Sequence, residues 1–283
     1  MISREVSRTA LEVAYMRAAH QILDSKPLLF EDAFAVQILG KDAPRKIREA
    51  TAHYQTPVAR ALRSRVALRS RYAEDQLLSA IQRGISQYVI VGAGFDTFSL
   101  RQPKWANDLL IVEVDHPGTQ SHKLSLLDEA GLSVRDNVKF AEIDFESETL
   151  EEGLLRNGIS IARNTFFSWL GVTMYLTEEA IDATLRSMSK FPAGSQVVLT
   201  FAEPSTSSPV AKAIAARIAE HVESIGEPFV SYFEPEALRS MLVSAGFASV
   251  ELLSADEAHR RYFVHGHADL PPPKRIGLAS AIR

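Results

Sequence analysis

Three short stretches carry residue types that could hold a nucleotide. The first is Gly92-Ala93-Gly94-Phe95-Asp96, entered from the apolar run Tyr88-Val89-Ile90-Val91. A continuous apolar run ended by glycine reads as a strand buried on both faces, and the glycines permit a tight turn with close backbone approach to a ligand. Thr97 stands where a dinucleotide fingerprint would place its third glycine. The second stretch, Glu113-Val114-Asp115, closes the next apolar run. An acid there, about twenty residues beyond the glycines, suits hydrogen bonding to ribose hydroxyls. Asp115, at the strand's carboxyl end, is preferred to Glu113, which lies one alternation earlier on the same face. The structural alternative for Asp115 is a solvated acid in the turn before Pro117. The third stretch is Asp144-Phe145. Asp144 could accept a hydrogen bond from an adenine amino group while Phe145 borders the ring, or Asp144 could cap a helix.

A fourth stretch, Ser168-Trp169-Leu170-Gly171-Val172-Thr173-Met174-Tyr175-Leu176-Thr177, ends another strand. Gly171 allows a bend, Thr177 is a good N-cap, and Glu178 and Glu179 suit the first turn of the helix that follows. Tyr175 either faces the pocket or packs in the core.

The elements that must position these residues follow from periodicity. Strands are predicted at 88–91, 109–114, 138–143, 165–170, 196–201, 249–253 and 275–281, and helices at 119–129, 178–190, 210–225 and 236–245, the last closed by Gly246. Alternation of this kind implies an α/β fold with a parallel sheet covered on both faces. Before it, 7–39 reads as helix, interrupted at Pro27 and ended at Gly40, and 57–81 as one long helix. The long helix has an apolar stripe of Leu62, Val66, Ala73 and Leu77; Arg69 falls on that stripe and Arg71 points away. The stretch between the last two strands, with Pro271-Pro272-Pro273, reads as a loop or hairpin extension.

Composition narrows the function. The chain has 283 residues, enough for a large core, with 46% hydrophobic and 23% charged residues. A formal net charge of -4 argues against nucleic acid as a partner. The run Arg60, Arg63, Arg65, Arg69, Arg71 spreads over several helix faces and does not change that. There is no cysteine, which excludes disulfides and thiolate metal sites, and no His/acid cluster has ligand spacing, so no metal is expected. No apolar run is long enough to span a bilayer, and the first residues carry no apolar signal region; the expectation is a cytoplasmic protein.

In this order, Gly92-Ala93-Gly94-Phe95-Asp96-Thr97, Glu113-Val114-Asp115-His116-Pro117, Asp144-Phe145 and Val172-Thr173-Met174-Tyr175-Leu176 resemble the S-adenosylmethionine-dependent methyltransferases related to leucine carboxyl methyltransferase. Arg8-Thr9-Ala10, Arg17-Ala18 and Arg69-Ser70-Arg71-Tyr72 look like the bacterial branch of that family. The resemblance implies a Rossmann-like class I methyltransferase fold: a seven-stranded, mostly parallel sheet whose last two strands form a hairpin. With it goes a division into a helical N-terminal cap over 1–84 and a cofactor-binding core over 85–283, carrying a helical insert at about 203–233. It also implies S-adenosyl-L-methionine as cofactor, with Gly92 and Gly94 beside its methionyl part, Asp115 on the ribose, and Asp144 and Phe145 around the adenine. An arginine from the helix before the first strand is implied to hold the cofactor carboxylate. Between the two arginines the motif permits, the stripe argument selects Arg69, because an arginine on an apolar face needs an anionic partner; the alternative is that Arg69 snorkels to solvent.

One position departs from the family. Its eukaryotic carboxyl methyltransferases carry a glutamate where Leu170 stands here, so a protein-leucine substrate is not carried over and a small-molecule acceptor is expected. The reading is O-methylation of a carboxylate or a hydroxyl. A carboxylate needs no base, and Arg17, in a largely apolar stretch of the first helix, is the candidate to hold it, with Tyr175 as a second positioning residue. The structural alternative for Arg17 is an ion pair inside the cap. A hydroxyl needs a base, for which His53, His221 and His259 are the candidates. Competing readings are an NAD-dependent oxidoreductase, which leaves Asp144-Phe145 and the absent third glycine unexplained, and a non-catalytic nucleotide-binding protein.

Overall fold

The structure, a computed structural model, describes residues 6–145, 147–204, 209–264 and 270–283. Its centre is a seven-stranded sheet of β1 (Gln87–Val91), β2 (Leu110–Asp115), β3 (Val138–Glu142), β4 (Thr165–Trp169), β5 (Gln196–Thr200), β6 (Ser249–Leu252) and β7 (Leu278–Ile282). The spatial order is β3-β2-β1-β4-β5-β7-β6, parallel except for β7, which runs antiparallel to both β5 and β6. β1, β4 and β5 are buried at every position, as their unbroken apolar runs require of central strands. The edge strands β3 and β6 alternate instead and expose Lys139, Glu142 and Glu251, charges that discourage pairing with another chain.

The helices are α1 (Arg8–Leu23), α2 (Ala43–Glu49), α3 (Thr51–Tyr54), α4 (Pro57–Gln82), α5 (Phe98–Arg101), α6 (Pro117–Glu129), α7 (Leu150–Arg156), α8 (Glu178–Ser189), α9 (Pro209–Ser224), α10 (Pro235–Ala245) and α11 (Ala255–Tyr262). Two core clusters cover the two faces of the sheet. On one, Ile181, Leu185 and Leu242 from α8 and α10 meet Val89, Val112 and Phe167. On the other, Leu68, Tyr72, Leu77 and Ala80 from α4 meet Tyr88, Ile90 and Phe166. The second half of α4 therefore packs directly on the sheet, while its start joins α1, α2 and α3 in a smaller cluster around Met16, Ile47, Tyr54 and Ala59. α4 begins with Thr56 as N-cap, its hydroxyl taking the Ala59 N–H, and Pro57 in the first turn. No helix among the described residues is long and apolar enough to cross a membrane.

Two expectations need correction. Residues 28–39 do not form a second helix; only a 3-10 turn at Gln37–Leu39 does, ended by Gly40 at φ 82°. Side chains take the backbone groups that a helix would use: Asp32 accepts the N–H groups of Phe34 and Ala35, and Gln21 bonds the Asp32 N–H and the Phe30 carbonyl. The stretch after β6 is not all loop, because it contains α11. Its start was marked by Ser254-Ala255-Asp256-Glu257, in which the Ser254 hydroxyl accepts the Glu257 N–H. Only Ala258 and Tyr262 are buried, too few to show an apolar period.

Candidate functional site

Strand order reverses at β1, which lies between β2 and β4, and the crevice beyond the carboxyl ends of these strands is where an open α/β sheet binds ligands. The turn after β1 enters it with Gly92 at φ 65° and Gly94 at φ 50°. A Cβ on Gly92 would lie 2.4 Å from Val172 Cγ2, in the loop after β4, so the two loops approach closely only because the side chain is missing. The Gly94 N–H donates to Asp115 Oδ2 at 2.5 Å, and the His116 N–H to Asp115 Oδ1 at 2.7 Å. Burial outweighs these two bonds and holds the Asp115 carboxyl above its ordinary value. Glu113, the competing acid, is fully buried and ion-paired through Oε2 with Lys123, which leaves Asp115 as the acid nearer the strand's carboxyl end.

Asp144 and Phe145 follow β3, next to Asp115, whose carbonyl takes the Ile143 N–H at 2.9 Å. The Asp144 carbonyl accepts the Ser147 and Glu148 N–H groups, and Phe145 is half-buried against the core. Asp144 does not cap α7. Thr149 does, in a reciprocal capping box with Glu152.

Arg69 lies against Gly171. A Cβ there would sit 2.5 Å from Arg69 Nη1 and 2.9 Å from Cζ. Burial, with Arg17 nearby, lowers the Arg69 guanidinium to about 10. Arg17, Arg63 and Arg101 each hold a carboxylate, whereas Arg69 has no hydrogen bond or ion pair among the described residues. No acid stands beside it at the family's glutamate position, where Leu170 packs into the second core cluster. Arg71 points outward and pairs with Asp75 at 3.0 Å.

Arg17 must be corrected. The residue is 7% exposed, and its guanidinium bonds Asp32 at 2.5 Å, Asp96 at 3.2 Å and the Thr97 hydroxyl at 3.0 Å. Burial alone would depress it, but Asp32 and Asp96 reverse the sign and raise it. With both carboxylates engaged it has no charge left for an acceptor. It anchors α1 to the turn after β1, in a network continued by Arg101 and Glu74.

Tyr175, in a 3-10 turn at Thr173–Tyr175, is half-buried and belongs to none of the core clusters among the described residues. Burial pushes its phenol up, and Thr9, Glu227 and Arg69 lie close enough to act on it. Its ring meets the edge of Phe229 at 5.3 Å. Phe229 belongs to a strap over residues 225–233 that joins the loop after β4 to the start of α1. Val230 and Ser231 donate to the Met174 carbonyl at 2.7 and 3.3 Å, the Ser231 hydroxyl donates to the Leu176 carbonyl, and Phe233 donates to the Ala202 carbonyl at 2.8 Å. At its other end Glu227 takes donors from the first turn of α1, the Arg8 N–H at 2.7 Å among them. Sequence reasoning missed Glu227 and Thr9, because no pattern links residues so far apart in the chain.

The three histidine candidates lie elsewhere. His53 and His259 are exposed on α3 and α11, and His221 pairs on the surface with Glu12 at 3.0 Å. No group of metal-ligating side chains occurs among the described residues.

Residues 10–189 match the sequence profile of the leucine carboxyl methyltransferase family. A Bacillus subtilis protein named for S-adenosyl-L-methionine-dependent methyl transfer is 31% identical, with all of both chains covered. A Mycobacterium marinum protein with the same designation is 26% identical over 75% of this chain and 70% of its own. Among solved structures, a methyltransferase-like protein from Thermobifida fusca superposes with a TM-score of 0.58 at 20% identity, covering 87% of this chain and 91% of its own. A Streptomyces avermitilis protein of the family designated DUF574 does so with a TM-score of 0.56 at 15% identity, covering 94% and 95%.

Proposed function

The chain belongs to the leucine carboxyl methyltransferase family and uses S-adenosylmethionine, and from that premise we propose that it methylates an oxygen of a small molecule. The observation that carries the assignment of the site is Arg69, a shielded cation with no hydrogen bond or ion pair among the described residues, lying against Gly171 in the loop after β4. A guanidinium in that state is built for a carboxylate that comes from outside the chain, and the cofactor has one.

The residues fit the cofactor. Arg69 would hold its carboxylate, Gly92 and Gly94 leave room for its methionyl part, Asp115 would accept from the ribose hydroxyls, and Asp144 with Phe145 would border the adenine. S-adenosylmethionine supplies an activated methyl group when bound. The chain's own contribution is to align an acceptor oxygen and keep water out, and alignment can supply most of the acceleration of a displacement. Tyr175 and Phe229 close the side from which the acceptor would come. A small neutral or anionic acceptor, no nucleic acid and a cytoplasmic setting belong to the same proposal, supported by the acidic net charge and the absence of cysteine.

S-adenosylhomocysteine at a hundredfold excess over its dissociation constant should stabilise the protein by about 2.7 kcal/mol, a rise in melting temperature of about 5–10 °C. NAD should leave it unchanged. A thermal shift with NAD and none with S-adenosylhomocysteine would reject the assignment of the site.

Asp115→Asn should weaken S-adenosylhomocysteine by about tenfold or more, since a hydrogen bond to a charged group is worth about 1.5–3 kcal/mol. Calorimetric titration measures this directly. An unchanged affinity would remove Asp115 from the ribose.

A further inference from the structure

We propose that Glu227 is a positioning residue that latches the start of α1 over the glycine turn, and thereby sets the rate at which the cofactor enters and leaves. This rests on the cofactor site proposed above.

An α-helix leaves its first N–H groups without partners inside the helix. In α1 the Ala10 N–H goes to the Ser7 hydroxyl at 3.1 Å, a local N-cap. The Arg8 N–H at 2.7 Å and the Thr9 N–H at 3.2 Å both go to the Glu227 carboxylate, which also accepts the Ser7 hydroxyl at 3.0 Å and the Thr9 hydroxyl. The helix start is thus completed by a residue 218 positions beyond Thr9, on the strap. The negative charge of Glu227 meets the positive end of the helix dipole. Thr9 is buried, so its N–H and hydroxyl would lose their partner if Glu227 were removed.

The turn held in this way lies on the cofactor loop. Ala10 Cβ is 3.3 Å from the place a Cβ on Gly94 would take. Ala10 and Leu11 pack with Ala14 against Phe95, in the same loop, and Leu127 of α6. The Ser7 N–H reaches the Thr119 hydroxyl at 3.3 Å, in the first turn of α6, four residues beyond Asp115. The first turn of α1 therefore spans from Gly94 to the helix that follows Asp115, and a cofactor seated on both residues lies beneath it.

The two sides of the latch are held differently. The strap hangs on the Met174, Leu176 and Ala202 carbonyls. α1 is anchored further along, where Arg17 pairs with Asp32 and Asp96. Apart from Glu227, the turn from Ser7 to Ala10 reaches the core through the neutral bond to Thr119 and the packing of Ala10. The start of α1 is thus the side that lifts, and Glu227 is the charged tie that must break. Every turnover has to expel one S-adenosylhomocysteine, so opening at this point bounds the rate of the enzyme.

A latch has a kinetic signature. Weakening it raises the open population with and without ligand alike, so entry and exit speed up together and affinity hardly moves. Damage to the site itself weakens binding through faster release alone.

The test uses the full chain and S-adenosylhomocysteine. Release is followed by chasing bound labelled ligand with unlabelled ligand, calorimetry gives Kd, and the two together give the association rate constant. Glu227→Gln should speed release and association each by about tenfold or more, the factor that a hydrogen bond to a charged group is worth, with Kd within threefold of wild type. Thr9→Val removes one of the four bonds and should speed both by less. The chain has no cysteine of its own, so Arg8→Cys with Glu227→Cys can be joined by a short bismaleimide. Cross-linked, this pair should exchange ligand at least tenfold more slowly than the same pair unlinked. Should Glu227→Gln fail to fold, Thr9→Val and the cross-linked pair decide. Release unchanged by the substitutions, faster release with Kd weakened in proportion and no gain in association, or a cross-link that leaves exchange unaltered would each overturn the proposal. A wild-type protein that fails to bind S-adenosylhomocysteine overturns the reading on which it rests.

Discussion

Arg69→Met should weaken S-adenosylhomocysteine by about a hundredfold or more and, at the same time, raise the melting temperature of the free protein. The first effect follows from losing a charged fork on a carboxylate, in which each bond contributes about 1.5–3 kcal/mol. The second follows from the cost of keeping an uncompensated charge shielded from water. Burial lowers the Arg69 guanidinium from its ordinary value to about 10. After allowance for its partial exposure, a shift of that size corresponds to roughly 1–3 kcal/mol of destabilisation. A methionine of similar length removes the charge, and the gain should read as about 2–12 °C. The sign of the linkage agrees: a cation whose folded value is depressed weakens the fold at every pH below about 10, and the loss is recovered only as pH rises through that value. Arg71→Met, at an exposed i,i+4 pair with Asp75, should change affinity by less than twofold. A destabilised Arg69→Met protein would mean that the guanidinium has a partner inside the chain, and the case for a receptor of external carboxylates would fall with it.

Asp24→Asn should be the most damaging single change to the cap. Arg63 is fully buried and spends two of its nitrogens on Asp24, at 2.9 and 2.7 Å, with a third on the Tyr54 carbonyl. Asp24 also takes the His20 Nδ1–H at 2.8 Å. The Phe30 N–H points at His20 Nε2, which makes Nε2 the acceptor and places the ring proton on Nδ1. An asparagine keeps the shape but strands the Arg63 charge in the interior, at about 3–5 kcal/mol, or about 6–20 °C in melting temperature. Burial alone would raise the Asp24 carboxyl, but the bonds from His20 and Arg63 win and hold it below its ordinary value. A carboxyl depressed in this way stabilises the fold above the usual carboxylate range and stops doing so as pH falls through its lowered value. The wild type should therefore lose stability on acidification below about pH 4 more steeply than Asp24→Asn does, and melting curves from pH 3 to 7 would show it. Parallel curves for the two proteins would mean that Asp24 carries no such coupling.

The strands were legible in the sequence because each central one is an unbroken apolar run, a signal that needs no knowledge of its neighbours. The inward direction of Arg69 was legible for the same reason: its position on the Val66, Ala73 and Leu77 stripe fixes the helix face on which it lies. The fate of Arg17 was not, since it turns on Asp32 and on Asp96, the latter 79 residues away. Thr9 and Glu227, 218 residues apart, carry no local pattern at all. The irregular path over 28–39 was hidden because side chains of Gln21 and Asp32 override a helical propensity that the apolar spacing alone supports. Local periodicity predicts elements, whereas the polar contacts that tie one element to another must be seen in three dimensions.

The strap over 225–233 is fastened to the sheet side almost entirely through other residues' backbone carbonyls, at Met174, Leu176 and Ala202. Carbonyls are present whatever the sequence, so most of its side chains are free to change without loosening it. Phe229, Val230 and Tyr232 are such positions, and Val230 and Tyr232 are exposed. The glycine turn, by contrast, tolerates no new atom at Gly92. On the proposed site, divergence within such a lineage should be channelled: Gly92 in the cofactor turn is held by sterics, while the nine-residue strap over 225–233 can change to suit new acceptors. For the same reason, exchange of this strap between relatives is the most economical way to retarget the enzyme, provided the glutamate that meets the first helix travels with it.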